Sequence, residues 1–135
     1  MLPYNLDHVA VAVAELDEAI PRFEALYGAV AGDRERVETQ GVEEVMIPVG
    51  GSHIQLIAPL DEDTPVGRFL DKRGEGLHHV ALAVPNIEAA LVHVRAVGGR
   101  LVDEEPRIGG RGALIAFVHP KSWGGTLVEL VELPL

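Results

Sequence analysis

The sequence predicts an α+β fold made of two tandem βαβββ modules in one domain. Three observations predict it. The first is an internal repeat: Leu6-Asp7-His8-Val9-Ala10-Val11-Ala12-Val13 returns 71 residues later as Leu77-His78-His79-Val80-Ala81-Leu82-Ala83-Val84, with six of the eight positions identical. The second is the order of hydrophobic patterns, which in each half runs from strand-like alternation to a helical segment and then to further alternating runs. The third is size: the 135 residues are 47% hydrophobic, enough for one core, whereas modules of about 60–70 residues are too small to be stable independently and should share that core. The domain is expected to span 1–135, with module 1 at about 5–60, a linking helix at about 64–73 and module 2 at about 76–133.

Each element has a local reason. In the first strand Val9, Val11 and Val13 lie on one face and His8, Ala10 and Ala12 on the other. The repeat sets Val80, Leu82 and Val84 against His79, Ala81 and Ala83. Bulky residues are expected to pack on helices, leaving space before the small ones. A helix is expected at Leu16–Tyr27, with Pro21 arguing for a kink or a later start. A short strand follows near Arg34–Glu38, then strands at Glu43–Val49 and His53–Ala58. Thr64-Pro65 suits the start of the linking helix, threonine as cap and proline in the first turn. Asn86 can cap the next helix and Gly98-Gly99 can end it. Ala113–Val118 and Leu127–Glu132 read as the last two long strands. A second echo, Gly51-Ser52-His53-Ile54-Gln55-Leu56-Ile57 against Gly125-Thr126-Leu127-Val128-Glu129-Leu130-Val131, has an offset of 74. The change from 71 implies three extra residues in the second half, and Gly109-Gly110-Arg111-Gly112 is the expected place.

Composition narrows the function. Without cysteine there is no disulfide, thiolate metal site or cysteine nucleophile. A net charge of −10 disfavours non-specific nucleic-acid binding, and 4% aromatic residues leave few surfaces on which bases stack. No apolar run reaches the ~18 residues of a membrane span, and the first residues carry no secretory pattern, so a cytoplasmic protein is expected.

The repeat also pairs polar residues. His8 matches His79, and Gln55 matches Glu129. Two imidazoles, an amide and a carboxylate suit a divalent ion such as Co²⁺, Mn²⁺, Ni²⁺ or Zn²⁺. The alternative is that these are ordinary strand residues with histidines satisfied inside a core. The matched pairs favour the metal.

These features resemble the vicinal-oxygen-chelate (glyoxalase-like) superfamily and, within it, the methylmalonyl-CoA epimerases. The resemblance rests on LDHVAVAV, QGVEEVMIPVG, IQLIAPL, DTPVGRFL, GEGLHHVALAV, DEEPRIGGRG and FVHPKSWGGTLVELVE, an ordered set covering Leu6 to Glu132. It implies a half-open barrel, a homodimer, an acyl-CoA substrate and one divalent ion per chain on His8, Gln55, His79 and Glu129. It also implies 1,1-proton transfer between (R)- and (S)-methylmalonyl-CoA, with Glu44 of the GVEEVM segment as a base. Strand alternation supports Glu44, which shares a face with Met46 rather than with Val45, Ile47 and Val49. Glu129 would serve the opposite face of the substrate while also binding metal. Lys121 and Arg111 are candidates for the coenzyme A phosphates, as is Arg107. Rival readings are a glyoxalase I-like isomerase, disfavoured because Gln55 stands where its known relatives use a glutamate, and a metal-free binding protein of the same fold. His53 shares the Gln55 face. His78 and His93 are expected to be structural or exposed, Asp103-Glu104-Glu105 a solvated turn, and Trp123 a packing or loop-anchoring residue.

Overall fold

The structure is a computed structural model that describes residues 3–135. They form two compact units, one of residues 8–78 and one of residues 3–7 with 79–135. The repeat therefore does not map onto the units end to end. The first strand, β1 (Asn5–Ala12), passes from the second unit into the first at His8, and β5 (Gly76–Ala83) passes back at His79.

Residues 8–78 hold α1 (Leu16–Tyr27), β2 (Arg34–Val37), β3 (Val42–Val49), β4 (Ser52–Pro59) and α2 (Pro65–Arg73). The strand order is β2-β3-β4-β1, with β1 parallel to β4 and the other pairs antiparallel. Val11 and Val13 pack with Leu16, Ile20 and Phe23 of α1 and with Val45, Ile47 and Leu56, so the bulky face does meet the helix. The helix begins at Leu16 and runs through Pro21 without the late start that proline suggested. In its second turn proline forfeits one backbone bond but not the amphipathic face. The small face is not open along its whole length: Ala10 and Ala12 pack with Val37, Val42, Ile57 and Val66, with Phe69 and Leu70 of α2 beside them. Ala10 and Ala12 therefore do not face open space, because the linking helix covers them. That helix starts as expected, with the Gly67 N–H donating to Thr64 Oγ1 at 3.0 Å and proline in the first turn.

The second unit holds α3 (Ile87–Ala96), β6 (Arg107–Ile108), β7 (Leu114–Val118) and β8 (Val128–Glu132), in the order β5-β8-β7-β6. The Ala89 N–H donates to Asn86 Oδ1 at 2.9 Å, capping α3. The Ile87 N–H is taken by Glu132 Oε1 at 2.8 Å, tying the helix start to the last strand. Leu82 and Val84 pack with Ile87, Ala90, Leu91 and Leu130, the same bulky-face arrangement as in the first unit.

The pairing registers locate the three extra residues. Gln55 faces Met46 across the β3–β4 hairpin, and Glu129 faces Phe117 across β7–β8. The first pair lies nine residues apart and the second twelve. Met46 and Phe117 still differ by 71, so the insertion follows Phe117 and does not lie at Gly109–Gly112. A tight turn at Gly50-Gly51 in one module becomes the loop 119–127 in the other. Gly41 and Gly112, 71 apart, keep the same left-handed backbone with φ of 68° and 66°. Gly41 follows the 3₁₀ turn Glu38–Gln40 and Gly112 closes the turn Gly110–Gly112, so a glycine-rich sequence there reflects turn geometry rather than insertion. Among the described residues, no helix is long and apolar enough to cross a membrane.

Candidate functional site

In residues 8–78, one face of the sheet gathers the polar residues. His8 lies opposite His53, and Ala10 opposite Gln55, in the parallel β1–β4 ladder. Met46 lies opposite Gln55, and Glu44 opposite Ile57, in the antiparallel β3–β4 ladder. Directly paired residues share a face, so His8, His53, Gln55, Met46 and Glu44 are on one side. His8, Glu44 and Gln55 are at most 5% exposed. Glu43 is on the other side, where its Oε1 lies 3.5 Å from the guanidinium of Arg34. The two adjacent glutamates therefore differ in kind: one is a buried carboxylate on the polar face, the other a solvated carboxylate with a surface partner. Strand phase predicted that division correctly.

In the second unit Ala81 lies opposite Glu129 and Phe117 opposite Glu129, so His79, Ala81, Glu129 and Phe117 share a face. His79 and Glu129 are each 3% exposed. The edge of the His79 ring meets Phe117 with centroids 5.2 Å apart at 85°, which fixes the imidazole plane. The His79 Nε2–Glu129 Oε1 distance is 3.5 Å, longer than the ~2.9 Å of a normal hydrogen bond. The symmetry is positional as well as chemical: each candidate oxygen ligand faces the alanine two residues beyond its module's histidine.

The donor set fits a divalent ion. Among the described residues His8, His79 and Glu129 are buried groups of metal-ligating type, and Gln55 adds a buried amide oxygen. Nitrogen and oxygen donors of this mix suit intermediate divalent metals more than Ca²⁺ or Mg²⁺, which favour all-oxygen sites.

The remaining candidates fall elsewhere. The Lys121 side chain is exposed in the loop 119–127, while its N–H donates to His119 Nδ1 at 3.0 Å. Arg107 pairs with Asp103 at 3.5 Å. Arg111 grips Asp7 with two nitrogens, at 2.5 and 3.3 Å from the two carboxylate oxygens. Asp103 is not merely a solvated turn residue, since its Oδ2 accepts from the Phe117 N–H at 2.8 Å and so braces the strand beneath His79. Trp123 is 72% exposed, so it does not pack in a core, while its backbone N–H donates to the Pro120 carbonyl at 3.1 Å within the loop. His78 is structural, its ring edge on Phe69 at 4.9 Å, and His93 is exposed. The residue overlooked in the sequence is Asp7, 2% exposed beside His8. Its signal was available: a carboxylate at the start of an apolar strand whose repeat partner is His78.

Comparison with known proteins places these features in a family. Residues 7–117 match the model of the Glyoxalase/Bleomycin resistance protein/Dioxygenase superfamily. The mitochondrial methylmalonyl-CoA epimerase of Homo sapiens is 36% identical over 129 residues, covering 95% of this chain and 73% of that protein. The crystal structure of methylmalonyl-CoA epimerase from Mycobacterium tuberculosis is 41% identical, with a TM-score of 0.95 over 99% of this chain and 91% of that one. A variant of the Streptomyces coelicolor methylmalonyl-CoA epimerase in complex with 2-nitronate-propionyl-CoA is 37% identical, with a TM-score of 0.94 over 98% of this chain and 96% of that one.

Proposed function

We propose that this chain, which belongs to the methylmalonyl-CoA epimerase family of isomerases, interconverts (R)- and (S)-methylmalonyl-CoA by 1,1-proton transfer. The observation that carries the reading is the burial of Glu44 on the same sheet face as His8 and Gln55, with Glu43 turned away to Arg34. A relative's complex with an acyl-CoA supports the substrate class.

His8, Gln55, His79 and Glu129 would hold the ion, one per chain. A divalent ion bound there supplies positive charge to the substrate oxygens as C2 loses its proton. Glu44 takes the C2 proton from one face and returns one to the same face in the reverse direction. Glu129 does so on the other face, so each turnover uses one carboxylate as base and the other as acid. Burial strengthens each electrostatic contact at the site, and each carboxylate regains its starting protonation state by exchange with solvent between turnovers. Gln55 in place of a second anionic ligand leaves more net positive charge at the site for an acidic substrate. Lys121 would meet a coenzyme A phosphate. The working form is a cytoplasmic homodimer whose chain folds as one domain with its linking helix at 64–73.

The test is proton–deuterium exchange at C2 of methylmalonyl-CoA, followed together with epimerisation, using Co²⁺-reconstituted protein. Exchange and epimerisation that both need metal support the reading. Lactoylglutathione formation from the glutathione–methylglyoxal hemithioacetal without C2 exchange would replace it with the glyoxalase reading.

A further inference from the structure

Arg111 is the one non-glycine residue with positive φ among the described residues, at φ 58° and ψ 19°. It sits between Gly110 and Gly112 in a turn where a third glycine would remove the strain. Its counterpart in the other module, Gln40, has no such backbone. A side chain kept in a conformation that disfavours it has a use. Here that use is visible: both terminal nitrogens of Arg111 bind the Asp7 carboxylate, a bidentate pair 104 residues apart in sequence. Asp7 is 2% exposed, and a carboxylate that deeply buried needs paired donors such as the Arg111 guanidinium. Asp7 directly precedes His8, and the chain beside it is held by the Tyr4 N–H donating to the Ala83 carbonyl at 3.0 Å.

We infer that Arg111 is a positioning residue: through Asp7 it pins the start of β1, and thereby the backbone from which His8 projects. This deepens the proposed function and rests on His8 as a metal ligand. It also gives Arg111 an internal role in place of the phosphate contact expected from its loop. Alternation turns the Asp7 carboxylate away from the His8 face, so Arg111 acts on the site through the strand and not by touching substrate.

The test measures Co²⁺ affinity of the full chain by chelator competition, with the visible spectrum of bound Co²⁺ and the thermal midpoint of the metal-free protein as companions. Arg111→Lys keeps the charge but loses the two-pronged grip. It is expected to weaken Co²⁺ binding by about 10–100-fold, the usual effect of loosening a ligand's support, and to change the Co²⁺ spectrum. Asp7→Asn combined with Arg111→Gln, which leaves no buried charge unpaired, should show the same weakening while the metal-free midpoint stays within a few degrees of wild type. Arg111→Lys combined with Asp7→Asn should be no worse than Arg111→Lys alone, since the residues act as one unit. Wild-type affinity and spectrum in these variants would overturn the inference while leaving the proposed function intact. A raised KM for methylmalonyl-CoA with metal binding unchanged would return Arg111 to phosphate binding. If wild-type protein binds no Co²⁺, both readings fall together.

Discussion

The two modules share a register but not a chemistry. In each, an oxygen donor lies opposite the alanine two residues past a histidine. Where the modules agree, at His8 and His79, the residues suit holding an ion. Where they differ, the difference is one of charge or proton capacity. Gln55 stands against Glu129, and Glu44 stands against Ile115, which is 71 residues on and 3% exposed in an apolar cluster. Asp7 stands against His78. Repetition gives both modules the same donor positions, and the departures from it, at residues 7, 44 and 55, fall where charge or proton capacity differs.

The comparison can be broken most severely at the shared positions. His8→Ala and His79→Ala are each expected to abolish stoichiometric metal binding, measured by metal analysis of purified protein, while His53→Ala on the same face retains it. Full metal content in both ligand variants would remove the site assignment. At the first asymmetric position, Glu44→Gln keeps the size and hydrogen bonding of the side chain but not its basicity. Epimerisation should fall by ~10²–10⁴, about 3–5 kcal/mol of transition-state stabilisation, with metal still bound. Glu43→Gln should turn over near the wild-type rate. Exchange from one substrate epimer should survive in Glu44→Gln, because the Glu129 face is intact. Normal turnover in both variants would rule out either glutamate as the base.

Gln55→Glu makes the modules alike at the oxygen ligand. An added negative charge is expected to tighten Co²⁺ by about tenfold, or ~1.4 kcal/mol, detected by the same chelator competition; unchanged or weaker binding would argue that residue 55 is not a ligand. The smallest effect concerns the helices. α3 is capped by Asn86, whereas Glu15, the residue before α1, makes no side-chain cap. Asn86→Ala should cost ~1 kcal/mol in denaturant unfolding, and Glu15→Ala less than ~0.5 kcal/mol. Equal losses would mean that Glu15 supports α1 in some way the cap geometry does not show.

Much of this was legible before any coordinates. Local rules placed Leu16–Tyr27, the Thr64 and Asn86 caps and the long strands, because capping and alternation depend on neighbours a few residues away. The division between Glu43 and Glu44 followed from period two alone. The pairing of Gln55 with Glu129 came from the repeat. Less legible was the two-residue strand Arg107–Ile108, which is too short to carry an alternation signal.

By itself, then, the amino-acid order determined the helices and long strands, the faces of the strands and the four candidate ligands, since each is a matter of periodicity or internal likeness. Only tertiary structure decided which residues answer one another across the chain. The insertion moved from Gly109–Gly112 to the loop after Phe117 because sheet register, not glycine content, aligns the modules. Ala12 lost its open space to α2, since a helix fills whatever apolar surface its linker lets it reach. Asp7 found Arg111 across 104 residues, because a buried charge needs a partner in space and no local period names a partner so far along the chain.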